Sequence, residues 1–235
     1  MIIQIAPELT RVTSLRRRLA SLPSICQGEG ELVKSDSRGH VHRVGLDNHV
    51  LAVKWFPPLW TPPSRFMRRL LKGRRGSSIW RRVRLAYCEG LPVVPPIGLY
   101  QPGPWYGEAY LVFEWIEGQP LSAVLGDHRM SFGARSRVAA KTAAAVARMH
   151  QAGITHGDLK PRNVLITATD PTFIDPDAMR IHRFPAGLTK RARRDWQTLV
   201  SSLNETSVDP ALIQKILVRA APREADVGRS DLNRG

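Results

Sequence analysis

Acidic residues are the scarce component of this 235-residue chain: 20 Asp and Glu stand against 35 Lys and Arg, a formal net charge of +15 at pH 7. Excess positive charge steers a protein toward anionic partners without dictating a fold, so nucleic acid, anionic lipid and phosphorylated substrates all stay open at this point. Cysteine is nearly absent. Cys26 and Cys88 are too few for a disulfide framework, and a reducing cytoplasm is the expectation. No apolar run approaches the ~20 residues of a membrane span, and the N-terminal MIIQIAPELTRV has no sustained apolar core before its charges, so neither a transmembrane helix nor a standard secretory signal is expected. With 43% hydrophobic and 23% charged residues the composition is that of a soluble globular protein, long enough for one large domain or two small lobes.

The chemistry concentrates in Thr155 to Ile166, THGDLKPRNVLI, and Thr172 to Asp177, TFIDPD. Magnesium-dependent phosphoryl transfer needs a carboxylate to orient the attacking hydroxyl, then an amide and a second carboxylate to hold metal on the nucleotide phosphates. Asp158 suits the orienting base, Lys160 a cation for the γ-phosphate, and Asn163 a metal ligand. Asp175 follows the apolar pair Phe173-Ile174, which predicts a short strand that delivers its carboxylate to the metal from the other side.

His156 to Asn163, HGDLKPRN, resembles the catalytic loop of the protein-kinase-like superfamily, with Gly157 where protein kinases usually carry Arg. The resemblance implies an α+β, two-lobed protein-kinase-like fold with a small β-rich N-lobe and a reduced helical C-lobe. The corresponding division is a basic extension over 1–27, an N-lobe over 28–117, a C-lobe over 118–220 and a polar tail over 221–235.

Along the chain, Val12, Leu15, Leu19 and Leu22 recur at helical spacing among Arg11 and Arg16 to Arg18, which predicts a short amphipathic helix ending before Pro23. Its apolar face suits either a membrane surface or its own small lobe. Leu32-Val33, Val41 to Val44 and Val50 to Trp55 read as three antiparallel strands, separated by the turn signals Asp36 to Gly39 and Asp47-Asn48. In the resemblance Gly39 and Val41 match the end of the nucleotide-covering loop, with Lys34 and Asp36 where the first two glycines are expected; Lys34 is a further candidate for phosphate. Leu51 to Lys54 resembles the V-A-I-K strand, so Lys54 is assigned to the α- and β-phosphates. A basic stretch from Arg65 to Lys72 precedes a predicted helix from about Ser78 to Glu89. In kinases that helix carries a glutamate for the strand lysine. Here Ile79 stands at its place, and either Glu89 takes the role or Lys54 is held otherwise. Tyr110 to Gly118 looks like the hinge, with Glu114 and Ile116 at the adenine edge, and a long helix is predicted over Phe132 to Gln151, stopped by Gly153.

After Asp175 the motif reads Asp-Pro-Asp, so Asp177 adds a second carboxylate as a metal ligand, and little chain remains for a long activation segment. HGDLK, IDPDAMR (Ile174 to Arg180) and Arg194-Asp195-Trp196 with Leu199 are most similar to the lipopolysaccharide core kinases, which phosphorylate heptose or Kdo sugars. The resemblance implies ATP and Mg2+ as cofactors and an inner-core sugar of an anionic glycolipid as acceptor, with peripheral contact at the cytoplasmic face of the inner membrane and no nucleic acid. Two other readings are carried with it: a small protein kinase with a protein substrate, suggested by the Lys-Pro of the loop, and a non-catalytic nucleotide-binding module, suggested by the missing helix glutamate.

Overall fold

The computed structural model describes residues 2–6, 19–28, 30–36, 39–46, 49–57, 75–103 and 108–220. They fall into two compact units, 1–117 and 118–235.

The first unit is built on an antiparallel sheet of β1 (Ile2–Ile5), β2 (Glu31–Asp36), β3 (Gly39–Leu46), β4 (His49–Phe56), β5 (Pro96–Gln101) and β6 (Ala109–Glu114), in the order β1-β5-β6-β4-β3-β2. The three expected strands are β2, β3 and β4. Asp36 pairs with Gly39 and Leu46 with His49, so each hairpin closes over two residues and the register is pinned by the turn signals. Alternation along β4 sorts the two faces. Leu51 and Val53 point to a core with Val44, Leu46, Tyr100, Tyr110 and Val112, and this face is covered by Leu19 and by Leu22 and Cys26 of α1 (Leu22–Gly28). Burial pushes the Cys26 thiol up to about 11 and keeps it a neutral core group. Lys54 and Phe56 point to the other face, where α2 (Arg75–Cys88) packs through Gly76, Ile79, Trp80 and Val83. A Cβ on Gly76 would lie 2.6 Å from that of Ala109, so the helix approaches as closely as glycine allows.

The N-terminal segment adds two elements to the expectation. Ile2–Ile5 is a strand paired to β5, unforeseen from its sequence. Of the helix expected to end before Pro23, only its last part falls among the described residues: Leu19 and Ala20 are helical and Ser21 is a turn. Pro23 then stands in the first turn of a separate short helix, α1, where no intrahelical N–H is required. Leu19 and Leu22 are each 1% exposed on the sheet of their own unit, so these two are not open to a membrane; at ~1.5–3 kcal/mol per buried Leu they hold α1 in place. Val12, Leu15, Arg11 and Arg16 to Arg18 lie outside the described residues, as do Arg65 to Lys72 and the tail over 221–235.

The second unit is mainly helical. It contains β7 (Gln119–Pro120), α3 (Leu121–Gly126), α4 (Phe132–Gln151), β8 (Ile154–Thr155), β9 (Val164–Thr167), β10 (Asp170–Phe173), β11 (Arg180–Ile181), α5 (Pro185–Asn204) and α6 (Pro210–Ala220). The expected long helix is α4. Ser131 caps it by accepting from Ala134 N at 3.2 Å, and Gly153, at φ 73°, lies just past its end. Val138, Ala139, Val146 and Met149 of α4 are fully buried, as are Leu159, Leu199, Leu203 and Ile216, and this core backs the loop that follows β8. The mixed architecture, an antiparallel sheet unit and a helical unit, is that of a kinase-like fold.

Candidate active site

The loop His156 to Asn163 is suspended from one buried carboxylate. Asp195, on α5 and 2% exposed, accepts from His156 N at 2.8 Å through Oδ2 and from Gly157 N at 2.8 Å through Oδ1. His150, in the last turn of α4, places Nε2 3.1 Å from the same Oδ2 and donates there when its proton sits on Nε2. A carboxylate in a core is tolerable only when its oxygens are this well supplied with donors. In the sequence Asp195 stands out only as part of the Arg194-Asp195-Trp196 likeness, which implies no role for it. A signal was there: Asp195, Leu199 and Leu203 recur every four residues, which puts the acid on the buried face of its helix.

His156 is fully buried and donates from Nε2 to Ile174 O at 2.9 Å, and Ile174 N donates to Asn163 O at 2.9 Å. These two bonds join the loop to the chain that carries Asp175. Within the loop, Lys160 Nζ lies 3.0 Å from Asp158 Oδ1, with both side chains part-exposed, and Asn163, 4% exposed, donates from Nδ2 to Asp158 O at 2.8 Å. The structure thus brings Asp158, Lys160 and Asn163 into one hydrogen-bonded group. Asp175 sits beside it at φ 59°, ψ 57°, a left-handed conformation that Asp adopts more readily than most residues.

The backbone after Asp175 folds straight back. Ala178 packs over Gly157, whose φ is 82° and where an added Cβ would lie 2.4 Å from Ala178 O. Gly157 is therefore demanded by packing at the position where protein kinases carry Arg. Arg180 and Ile181 pair with Thr155 and Ile154, His182 N donates to Gly153 O at 2.8 Å, and His182 Nε2 lies 2.9 Å from Thr155 Oγ1. Only 176–184 separate Asp175 from α5, and their backbone is tied to the strand and loop before Asp158. Burial, then the nearby Arg191 and Arg180 guanidinium groups, lower the His182 pKa, partly opposed by Asp195.

The donors suit magnesium. Asn163 commits Nδ2 to Asp158 and turns Oδ1 away from that contact, and Asp175 and Asp177 add hard carboxylate oxygens. Among the described residues no group of three or more His, Cys, Asp or Glu is assembled to hold a metal.

In the first unit, the registers set Lys34 opposite Val41, Val41 opposite Lys54, and Lys54 opposite Leu111. This row shares the α2 face of the sheet, so Val41 and Lys54 are neighbours and Lys34 stands in line with them. Lys54 Nζ lies 5.6 Å from the Phe56 ring centroid, and the Arg75 guanidinium lies 4.4 Å from the same ring. Gly39 begins β3 where a Cβ would come 2.3 Å from Trp55 O. Glu114 is exposed at the end of β6 and Ile116 is half-buried; Glu114 N donates to Pro95 O and Trp115 N to Val50 O, both at 3.0 Å. Ile79 is 1% exposed and belongs to the core, while Glu89 is exposed one residue past the end of α2.

Residues 94–197 match the protein kinase domain. Curated relatives include a probable inactive receptor kinase of Arabidopsis thaliana, 26% identical over 176 residues, 71% of this chain and 16% of the relative. The serine/threonine-protein kinase PknA of Mycobacterium tuberculosis is 42% identical over 62 residues, 26% of this chain and 14% of the relative. PknD of the same organism is 33% identical over 84 residues, 35% of this chain and 12% of the relative. The chain spans about a sixth or less of the length of these relatives. Together with the fold, these matches support a place for the chain in the protein-kinase-like superfamily.

Proposed function

We propose that the chain is an ATP- and Mg2+-dependent kinase that phosphorylates an alcohol group, and that the alcohol belongs to a sugar of the lipopolysaccharide inner core at the cytoplasmic membrane face. The grouping of Asp158, Lys160 and Asn163 next to Asp175 carries the reading. Asp158 orients the acceptor hydroxyl and takes its proton. Lys160, held 3.0 Å from Asp158, places positive charge where the γ-phosphoryl group would pass. Asn163, Asp175 and Asp177 would hold Mg2+, which neutralises charge on the β- and γ-phosphates when bound. Lys54 is assigned to the α- and β-phosphates and Gly39 and Val41 to the cover over them. The N–H groups of Glu114 and Trp115 are engaged internally, so adenine recognition in that stretch falls to Ile116 and to carbonyls such as that of Glu114.

The acceptor assignment rests on the segment 176–184, which is tied to the loop instead of forming a separate platform for an extended polypeptide. A protein acceptor is the second reading, favoured by the serine/threonine-protein kinases among the relatives. A non-catalytic module is the third, favoured by the buried Ile79 and by a relative named probably inactive. Phosphate transfer from labelled ATP by the full chain, to purified core oligosaccharide and to a neutral protein, separates the three. Label on a sugar hydroxyl is expected; equal labelling of the protein would establish the second reading, and no ATP consumption with either acceptor the third.

A further inference from the structure

From Met179 through Arg194 the chain has six Lys and Arg side chains, Arg180, Arg183, Lys190, Arg191, Arg193 and Arg194, and no Asp or Glu. On α5 the last four fall within an arc of about 160° at 100° per residue, opposite the buried positions Asp195, Leu199 and Leu203. Lys190, Arg193 and Arg194 are exposed and add nothing to the core. Lys190 with Arg194, and Arg191 with Arg194, are like-charge neighbours on the helix surface, an arrangement that destabilises an isolated helix. His182 links this face to β11: its Nδ1 lies 3.5 Å from where a Cβ on Gly187 would stand, in the first turn of α5. Arg180 and Arg183 therefore sit at the N-terminal end of the same helix, which itself carries partial positive charge.

Apolar side chains lie in the middle of this charge. Phe184, directly before α5, is 76% exposed, the most exposed large hydrophobic among the described residues, and Ile181 is 41% exposed. An aromatic ring held out in water, with Arg183 directly before it and Lys190 the next cation along the chain, is poorly suited to a nucleic-acid backbone alone, which needs only the cations. It suits an interface whose outer layer is anionic and whose next layer is apolar.

We propose that the face formed by Arg180, Arg183, Phe184, Lys190, Arg193 and Arg194 docks on the anionic surface of a lipid bilayer, with Phe184 entering the headgroup boundary. The proposal deepens the membrane-borne acceptor reading above and rests on it for its purpose, but its test needs neither ATP nor acceptor. The face adjoins the loop of Asp158 through the β8–β11 pairing and the contact of Ala178 with Gly157. Docking there brings that loop close to the membrane plane.

The test is co-sedimentation of the full chain with phosphatidylcholine vesicles, with and without about one third phosphatidylglycerol. Binding is expected to the anionic vesicles alone. Each exposed cation is expected to contribute about five-fold in affinity, so the combined Lys190→Gln, Arg193→Gln, Arg194→Gln variant should bind about 100-fold more weakly, and wild-type binding should fall steeply as salt shortens the Debye length below ~10 Å. Phe184→Ala should lose about ten-fold while keeping the wild-type salt dependence, because it removes only apolar contact. Circular dichroism of both variants reports retained helix, and Phe184→Ser repeats the apolar test with charge untouched. Unchanged binding in the triple-Gln variant would overturn the proposal by placing the charge elsewhere on the chain. Unchanged binding in both Phe184 variants, with duplex DNA or inorganic phosphate competing fully, would overturn it in favour of a general phosphate-binding surface. Transfer to soluble core oligosaccharide without vesicles tests the acceptor reading separately: vesicle binding without transfer sinks that reading, and transfer without vesicle binding sinks this one.

Discussion

Removing the Asp195 carboxylate should release the whole loop that carries Asp158. In Asp195→Ala the buried His156 N–H and the His150 ring lose their acceptor, whereas Gly157, at the exposed rim, can bond water instead. At about 1–3 kcal/mol for each buried donor left unsatisfied, the loss is about 2–6 kcal/mol, a large part of the ~5–15 kcal/mol that a folded protein has to spend. Asp195→Asn keeps one acceptor oxygen. Placed at the Oδ2 position it retains His156 and His150 and gives up Gly157 alone, so its cost should be about 1 kcal/mol. Urea unfolding followed by circular dichroism gives the two stabilities. Steady-state kinetics then distinguish positioning from mere stability: the Asn variant, still folded, should lose kcat with little change in KM for ATP, because its altered loop displaces Asp158 while Lys54 is untouched. An Ala variant within about 1 kcal/mol of wild type, with unchanged kcat, would refute the reasoning that this carboxylate suspends the loop.

Asp158→Ala and Asp175→Ala should each abolish transfer in a folded protein, with loss of the orienting base removing ~10²–10⁴-fold in rate and loss of the metal ligand also weakening Mg-ATP binding; wild-type turnover in either removes the assignment. Gly157→Ala should cost about 2–4 kcal/mol from a strained left-handed φ and a Cβ driven against Ala178 O, read as a lower unfolding midpoint, and Gly157→Arg at least as much. Glu89→Gln should retain activity while Lys54→Met loses it, since Glu89 is exposed past the end of α2; equal inactivity would make Glu89 the partner of the lysine. For His182 the folded pKa lies below the ordinary value of 6.5, so the neutral ring favours the fold. Its contribution is present in full above pH 6.5 and is lost as pH falls toward the folded pKa. Melting temperatures between neutral and mildly acid pH should thus fall less in His182→Gln than in wild type, and parallel curves would count against this.

What the sequence determined alone is what depends on near neighbours. Two-residue turns between alternating apolar runs specify β2, β3 and β4 and their register, because a strand's faces alternate and a slip of one residue would turn every core side chain outward. The limits of α4 follow from apolar periodicity, a Ser131 cap and Gly153. Asp158, Lys160 and Asn163 meet because the ends of the group are only five positions apart in one loop. Tertiary structure decided what depends on contacts far apart in the chain. Asp195 reaches His150, His156 and Gly157 across 45, 39 and 38 residues, and nothing local distinguishes a carboxylate that will be buried among donors from one that will face water. The same holds for the N-terminal segment. Ile2–Ile5 finds β5, and Leu19 and Leu22 find the back of the sheet, only because that sheet leaves an edge and an apolar face that water cannot satisfy.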